Sequence, residues 1–100
     1  MLDLVLPKGS LEQQTLLLFE QADLPVRRGS DREYNATISD PRIGRVKVLR
    51  PQEIGKYVEK GYFDLGITGL DWVMETESDV VSVMDMAYNK QGVGAPVKIV

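Results

Sequence analysis

Residues 63–73 read FDLGITGLDWV, and the parsing of this stretch decides the fold. Phe63, Leu65 and Ile67 alternate with other residues, so 63–67 reads as a β-strand; Thr68 and Gly69 follow as a turn, and Trp72, Val73 and Met74 sit in a helix. Its central part, DLGITGLD (64–71), gathers two glycines, a threonine and two aspartates into eight positions. A strand that feeds a helix through so polar a turn is a building unit of α/β sheets. In such sheets ligands collect where the carboxyl ends of the strands turn into helices.

The same unit recurs upstream. Leu2, Leu4 and Leu6 alternate, but Val5 makes the run nearly continuous, the pattern of a short strand buried on both faces. Pro7, Lys8 and Gly9 stop it. Ser10-Leu11-Glu12-Gln13 has the form of a capping box and predicts a helix from there to about Ala22, ended by Pro25, with Leu11, Leu18 and Ala22 on its buried face and Leu17 alongside. The segment 26–32, with Gly29, Ser30 and Asp31, reads as a loop. Tyr34 to Ile38 and Arg45 to Leu49 alternate apolar residues on either side of Asp40-Pro41-Arg42-Ile43-Gly44, predicting a β-hairpin or two nearby strands. Pro51 suits the first turn of a second helix, along which Ile54, Tyr57 and Val58 recur until Gly61. Asp79 to Met86 is rich in valine, and Ala95 to Val100 reads as the start of another strand. The expectation is one α/β domain over 1–100, a mainly parallel sheet with flanking helices.

Composition narrows the chemistry. A chain of 100 residues, 43% apolar and 27% charged, buries one core. Its net charge of −3 is spread along the sequence with no basic block, which argues against nucleic acid as a partner. Cysteine and histidine are both absent, excluding disulfides, thiolate nucleophiles, Ser-His pairs and imidazole metal sites. Any chemistry falls to Asp, Glu, Lys, Arg, Tyr, Ser, Thr and backbone amides. The N-terminal MLDLVLPKG carries an acid where a signal peptide would be basic, and no apolar run approaches the ~20 residues of a membrane span. A cytoplasmic protein with no membrane partner is expected.

Two junctions offer the residues of an anion cradle: Pro7-Lys8-Gly9-Ser10 and Gly66-Ile67-Thr68-Gly69. Each combines a hydroxyl, glycine and the unpaired N–H groups of a helix start. Each also has a purely structural reading, with Ser10 and Thr68 as helix caps and Gly66 and Gly69 as tight-turn residues. If Ser10 is a cap, Ser10→Ala lowers stability by ~1 kcal/mol. Asp64 is unusual, because an acid within a strand is costly to bury without a partner.

LPKG (6–9), LRPQEIGKYVEKG (49–61), FDLGITGLDWV (63–73) and DMAYNKQ (85–91), in this order over nearly the whole chain, resemble the N-terminal domain of ATP phosphoribosyltransferase, the first enzyme of histidine biosynthesis. The resemblance implies a fold like the type II periplasmic binding proteins, two α/β domains with a cleft between them. It implies a reaction that joins N1 of the adenine of ATP to C1 of the ribose of phosphoribosyl pyrophosphate, with Mg²⁺ bound to the substrate phosphates and no metal ligand from the protein. It further implies a homo-oligomer, with a histidine-sensing domain or a regulatory partner subunit. Carried over position by position, it makes Lys8 and Arg32 catalytic and makes Gly9, Ser10, Arg50, Asp64, Gly66, Thr68, Gly69 and Asp71 substrate-binding. A displacement at an anomeric carbon with pyrophosphate as leaving group needs alignment and well-placed cations, not a protein nucleophile. The residue inventory suits it.

Two departures qualify the match. Ser10 stands where the family carries arginine after Lys-Gly, so a phosphate contact is missing or moved, with Arg27 and Arg28 as the candidates. The family's phosphoribosyl pyrophosphate loop belongs to a second domain outside these residues, so the chain alone is expected to be inactive. The alternative is a non-catalytic half-domain that binds a nucleotide or small anion and dimerises through an open sheet edge.

Overall fold

Val5 and its neighbours Leu4 and Leu6 are all buried, with Val5 facing one side of a sheet and the two leucines the other. The nearly unbroken apolar run therefore folds as expected, as a central strand covered on both faces. The computed structural model describes residues 1–30, 32–89 and 96–100. Asp31, Lys90, Gln91 and Ala95, which figure in the readings above, lie outside the described residues.

The elements run β1 (Leu2–Pro7), α1 (Glu12–Gln21), β2 (Val26–Arg27), β3 (Asn35–Ile38), β4 (Ile43–Leu49), α2 (Pro51–Glu59), β5 (Leu65–Gly69), α3 (Leu70–Glu75), β6 (Met84–Asn89) and β7 (Pro96–Ile99). The seven strands form one sheet in the order β2-β3-β4-β1-β5-β7-β6. At its centre β4, β1 and β5 are parallel, with Leu6 beside Val48 and Val5 beside Gly66. The flanks are antiparallel: β2 on β3, β3 on β4, β7 on β5 and β6 on β7. The α/β class is as read from the sequence, but a mainly parallel sheet is not; the parallel part is the central trio. The hairpin of β3 and β4 accounts for one antiparallel flank. The other comes from late strands whose pairing local sequence does not encode.

The larger core cluster, on the face of α1, joins Leu4, Leu6, Val46, Val48, Ile38, Ile67 and Val97 to Leu11, with Leu16 and Phe19 packed against it. Leu17, expected beside the buried face, is 53% exposed, and Ala22 is exposed as well. The inward face is instead Leu11, Thr15, Leu16 and Phe19. α1 is the only helix on this side among the described residues that packs into this cluster, and next to it the sheet keeps an apolar cavity of about 290 Å³ lined by Leu2, Phe19, Leu24, Ile43, Leu65 and Ile99. On the opposite face Ile54 of α2 is fully buried against Val5 and Phe63. α2 begins at Pro51 and closes with the Tyr62 amide donating to the Tyr57 carbonyl at 3.0 Å, around Gly61, as its sequence predicts.

Three boundaries move for physical reasons. Val26 and Arg27, read as loop, pair with Ile38 and Thr37. α1 starts after Leu11, whose side chain is only 3% exposed; burying it carries the helix start past Ser10, and no side chain caps the helix. The capping box does not form. β5 begins two residues later than read and extends through Thr68 and Gly69, because Lys98 and Val97 of β7 pair with them.

Candidate functional site

Parallel strands place their carboxyl ends on the same edge of a sheet, so β1, β4 and β5 deliver Lys8, Arg50 and Gly69 to one edge. The Lys8 amide donates to the Leu49 carbonyl at 2.7 Å, which sets the ends of β1 and β4 side by side. Gly9 turns the chain out of β1 with φ +91°, a conformation open to glycine and strained for other residues, and no atom would meet a Cβ there. A depression of about 400 Å³ lies here, lined by Lys8, Gly9, Ser10, Glu12 and Gln13. Arg50 is exposed at the N-cap of α2, its carbonyl accepting from the Glu53 amide at 3.0 Å.

The loop with Arg32 opens at the same edge. The Tyr34 carbonyl accepts from the Val48 amide at 2.8 Å, near the end of β4, and the Lys8 ammonium lies 5.2 Å from the centre of the Tyr34 ring. Arg32 is exposed, its amide donating to Ser30 Oγ at 3.3 Å. Arg28 reaches back to α1, pairing through Nη2 with Glu12 Oε2 at 2.5 Å and donating through Nη1 to the Glu33 carbonyl at 3.1 Å. Both members of this ion pair are largely buried, with side chains 8% and 18% exposed. Glu12 would repel an anion in the depression it lines; Arg28 neutralises it. The cation that Ser10 does not supply is therefore near, but held by a carboxylate. Arg27, the other candidate, is exposed in β2.

The residues of 64–71 divide. Asp64 precedes β5 and sits at the amino edge, about 17 Å of extended chain from Gly69 at ~3.3 Å per residue. Its carboxylate accepts from the Asp3 amide at 2.8 Å while its own amide donates to the Asp3 carbonyl at 2.8 Å. Asp3 in turn accepts from the Arg45 amide at 2.7 Å and from Arg45 Nε at 3.3 Å, and Arg45 lies over the Phe63 ring at 4.9 Å. The Arg45 amide above all holds the Asp3 carboxyl below the ordinary value; burial pushes the other way, and the Arg45 guanidinium adds to the lowering. Asp64 thus belongs to a clasp at the far edge. It is exposed and partnered, so no uncompensated acid is buried.

Gly66 lies inside β5, and a Cβ there would stand 2.5 Å from Ile54 Cγ2 and 3.1 Å from Val5 Cγ1. Its lack of a side chain lets α2 settle on the sheet. Thr68 is fully buried and is not a helix cap; its hydroxyl donates to the Pro51 carbonyl at 2.7 Å, pinning the first turn of α2 to β5. Gly69 and Asp71 remain at the carboxyl edge, where a side chain on Gly69 would collide with the Asp71 carboxylate. Lys8, Gly9, Ser10, Arg50, Gly69 and Asp71 therefore share one edge with the Arg32 loop, Gly66 and Thr68 build the strand beneath it, and Asp64 is elsewhere.

Because Ser10 is exposed and caps nothing at the helix start, Ser10→Ala is expected to change stability by less than ~0.5 kcal/mol, not by the cost of a cap. Urea unfolding of the two proteins measures this directly; a loss of 1 kcal/mol or more would restore the cap.

Among the described residues no group of three or more carboxylate donors could hold a metal ion, and no helix is long and apolar enough to cross a membrane.

A lysine turn, an arginine N-cap and an arginine loop thus stand together at the carboxyl edge of the parallel strands, the edge at which open α/β sheets collect ligands. The family model HisG, ATP phosphoribosyltransferase, matches residues 50–98. The ATP phosphoribosyltransferase of Geotalea uraniireducens (strain Rf4) is 52% identical over 85 residues, 85% of this chain and 28% of the relative. That of Desulforudis audaxviator (strain MP104C) is 43% identical over 99 residues, 99% of this chain and 33% of the relative. Among solved structures, the ATP phosphoribosyl transferase (HisG:HisZ) complex from Thermotoga maritima superposes with a TM-score of 0.70 at 25% identity, covering 89% of this chain and 42% of that one. The chain belongs to the ATP phosphoribosyltransferase family. It spans about a third of the length of the curated relatives it matches.

Proposed function

We propose that the protein at its natural full length joins N1 of the adenine of ATP to C1 of the ribose of phosphoribosyl pyrophosphate, releasing pyrophosphate in the first step of histidine biosynthesis. The observation that carries this reading is the gathering of Lys8, Arg50 and the Arg32 loop at one sheet edge in a chain of that family. In the reaction the N1 lone pair forms the new bond to C1 as the bond from C1 to the pyrophosphate oxygen breaks, and both electrons of that bond leave with pyrophosphate. The adenine gives up a proton to solvent. Lys8 and Arg32 meet the charge that builds on the departing group, while Arg50, Gly9, Ser10, Gly69 and Asp71 orient the nucleotide. Gly66 and Thr68 act beneath them as the floor of the site, and Asp64 is left out. Mg²⁺ held by the substrate phosphates would supply further charge neutralisation.

The domain is further read as one half of a type II periplasmic binding protein-like pair, with the phosphoribosyl pyrophosphate loop on the other half. Assembly as a homo-oligomer with a regulatory subunit, by analogy with the Thermotoga complex, and residence in the cytoplasm complete the reading.

The test is to incubate the full-length protein with ATP, phosphoribosyl pyrophosphate and Mg²⁺ and to follow the products. A phosphoribosyl adduct of ATP with an equal amount of pyrophosphate is expected. Nucleotide binding without pyrophosphate release would overturn the transferase reading and leave the non-catalytic binding domain in its place.

A further inference from the structure

We propose that Tyr34 is a positioning residue for the Lys8 ammonium, an inference that rests on Lys8 acting at the site proposed above. β4 lies between β1 and β3, and the two residues are fixed to consecutive positions at its end: the Lys8 amide on the Leu49 carbonyl at 2.7 Å, the Tyr34 carbonyl on the Val48 amide at 2.8 Å. Adjacent strands are ~4.8 Å apart, so the Lys8 side chain must span the end of β4 to bring its ammonium within 5.2 Å of the ring centre. A lysine has four rotatable side-chain bonds and in water would sweep a wide arc. The negative face of the ring selects the part of that arc lying over the end of β4, beside Arg50. Tyr34 is two residues from Arg32, so the same contact ties the lysine turn to the arginine loop. Tyr34 is 55% exposed and lies in neither core cluster, which separates this role from a packing one.

The positioning depends on the π-face and not on the hydroxyl. In the full-length protein Tyr34→Phe is expected to retain kcat/KM within about twofold, whereas Tyr34→Leu, apolar but without a π-face, lowers it roughly three- to fivefold, the equivalent of one exposed cation–π contact. Replacing Tyr34 with phenylalanines carrying one, two and three fluorines should lower log kcat/KM in steps as the ring face loses negative potential. Independently of activity, the ring-current shift of the Lys8 ε-methylene protons should persist in Tyr34→Phe and vanish in Tyr34→Leu. Equal kcat/KM for the Phe and Leu variants, or no response to fluorination, would overturn the proposal. Lys8→Met separates the two levels of inference: unchanged kcat/KM there removes Lys8 from the site itself, while a loss there with no difference between Phe and Leu at position 34 overturns only the role of Tyr34.

Discussion

Gly66→Ala is expected to destabilise the protein by about 2–3 kcal/mol. The added methyl would stand 2.5 Å from Ile54 Cγ2, with Val5 Cγ1 and Val58 Cγ2 each at 3.1 Å. None of these is the loose end of a long side chain. Ile54 and Val5 are fully buried, and β-branched side chains have little rotamer freedom with which to give way. Relief requires α2 to lift from β5, which would also stretch the 2.7 Å bond from Thr68 to the Pro51 carbonyl and shift Arg50 at the N-cap. Chemical denaturation measures the loss. A double-variant cycle identifies its cause: Ile54→Ala alone leaves a cavity and costs about 2–5 kcal/mol, but combined with Gly66→Ala it makes room for the methyl, so the pair should cost less than the sum. Strict additivity would mean that the glycine serves something other than the approach of the helix.

Arg32→Ala in the full-length protein is expected to lower kcat by about 100-fold, the scale seen when one preorganised donor to a developing negative charge is removed. ATP affinity, measured by calorimetry, should weaken as well. Arg32 is exposed, and among the described residues its side chain makes no contact that the sheet depends on; its amide donates to Ser30 Oγ. Stability should therefore stay within ~0.5 kcal/mol of wild type, which separates lost chemistry from lost fold. Unchanged turnover and unchanged affinity would remove Arg32 from the site.

The parts of the fold that were legible in the sequence are those decided locally. LDLVL shows its burial on both faces because its alternation is filled in; the second helix announces its start with Pro51 and its end with Gly61; Tyr34 to Ile38 and Arg45 to Leu49 alternate as the hairpin they form. What escaped was decided by distant partners. Val26 and Arg27 have no strand signature and become a strand through Ile38 and Thr37. Thr68 and Gly69 have the composition of a turn and are drawn into β5 by a strand near residue 97. Ser10 has the letters of a cap, yet the burial of Leu11 decides where the helix begins.

The candidate site divides on the same principle. Residues that leave parallel strands, Lys8 and Arg50, could be placed on one edge from strand order alone, because the carboxyl ends of such strands coincide. Asp64 could not. A motif read as one unit, DLGITGLD, spans the full length of a strand and so puts its first aspartate and its last at opposite edges. The Lys8–Tyr34 contact and the Arg28–Glu12 pair had no local signal either, since each joins segments with other elements between them.

The central claim is that cations at the carboxyl edge hold the negative groups of the substrate. A crystal structure of the full-length protein with bound ATP tests it most directly. Phosphate oxygens within ~2.7–3.2 Å of Lys8 Nζ or the Arg50 guanidinium, above the ends of β1 and β4, are the predicted result. A nucleotide lying against Asp3 and Asp64 at the amino edge, or out of reach of both Lys8 and Arg50, would contradict it.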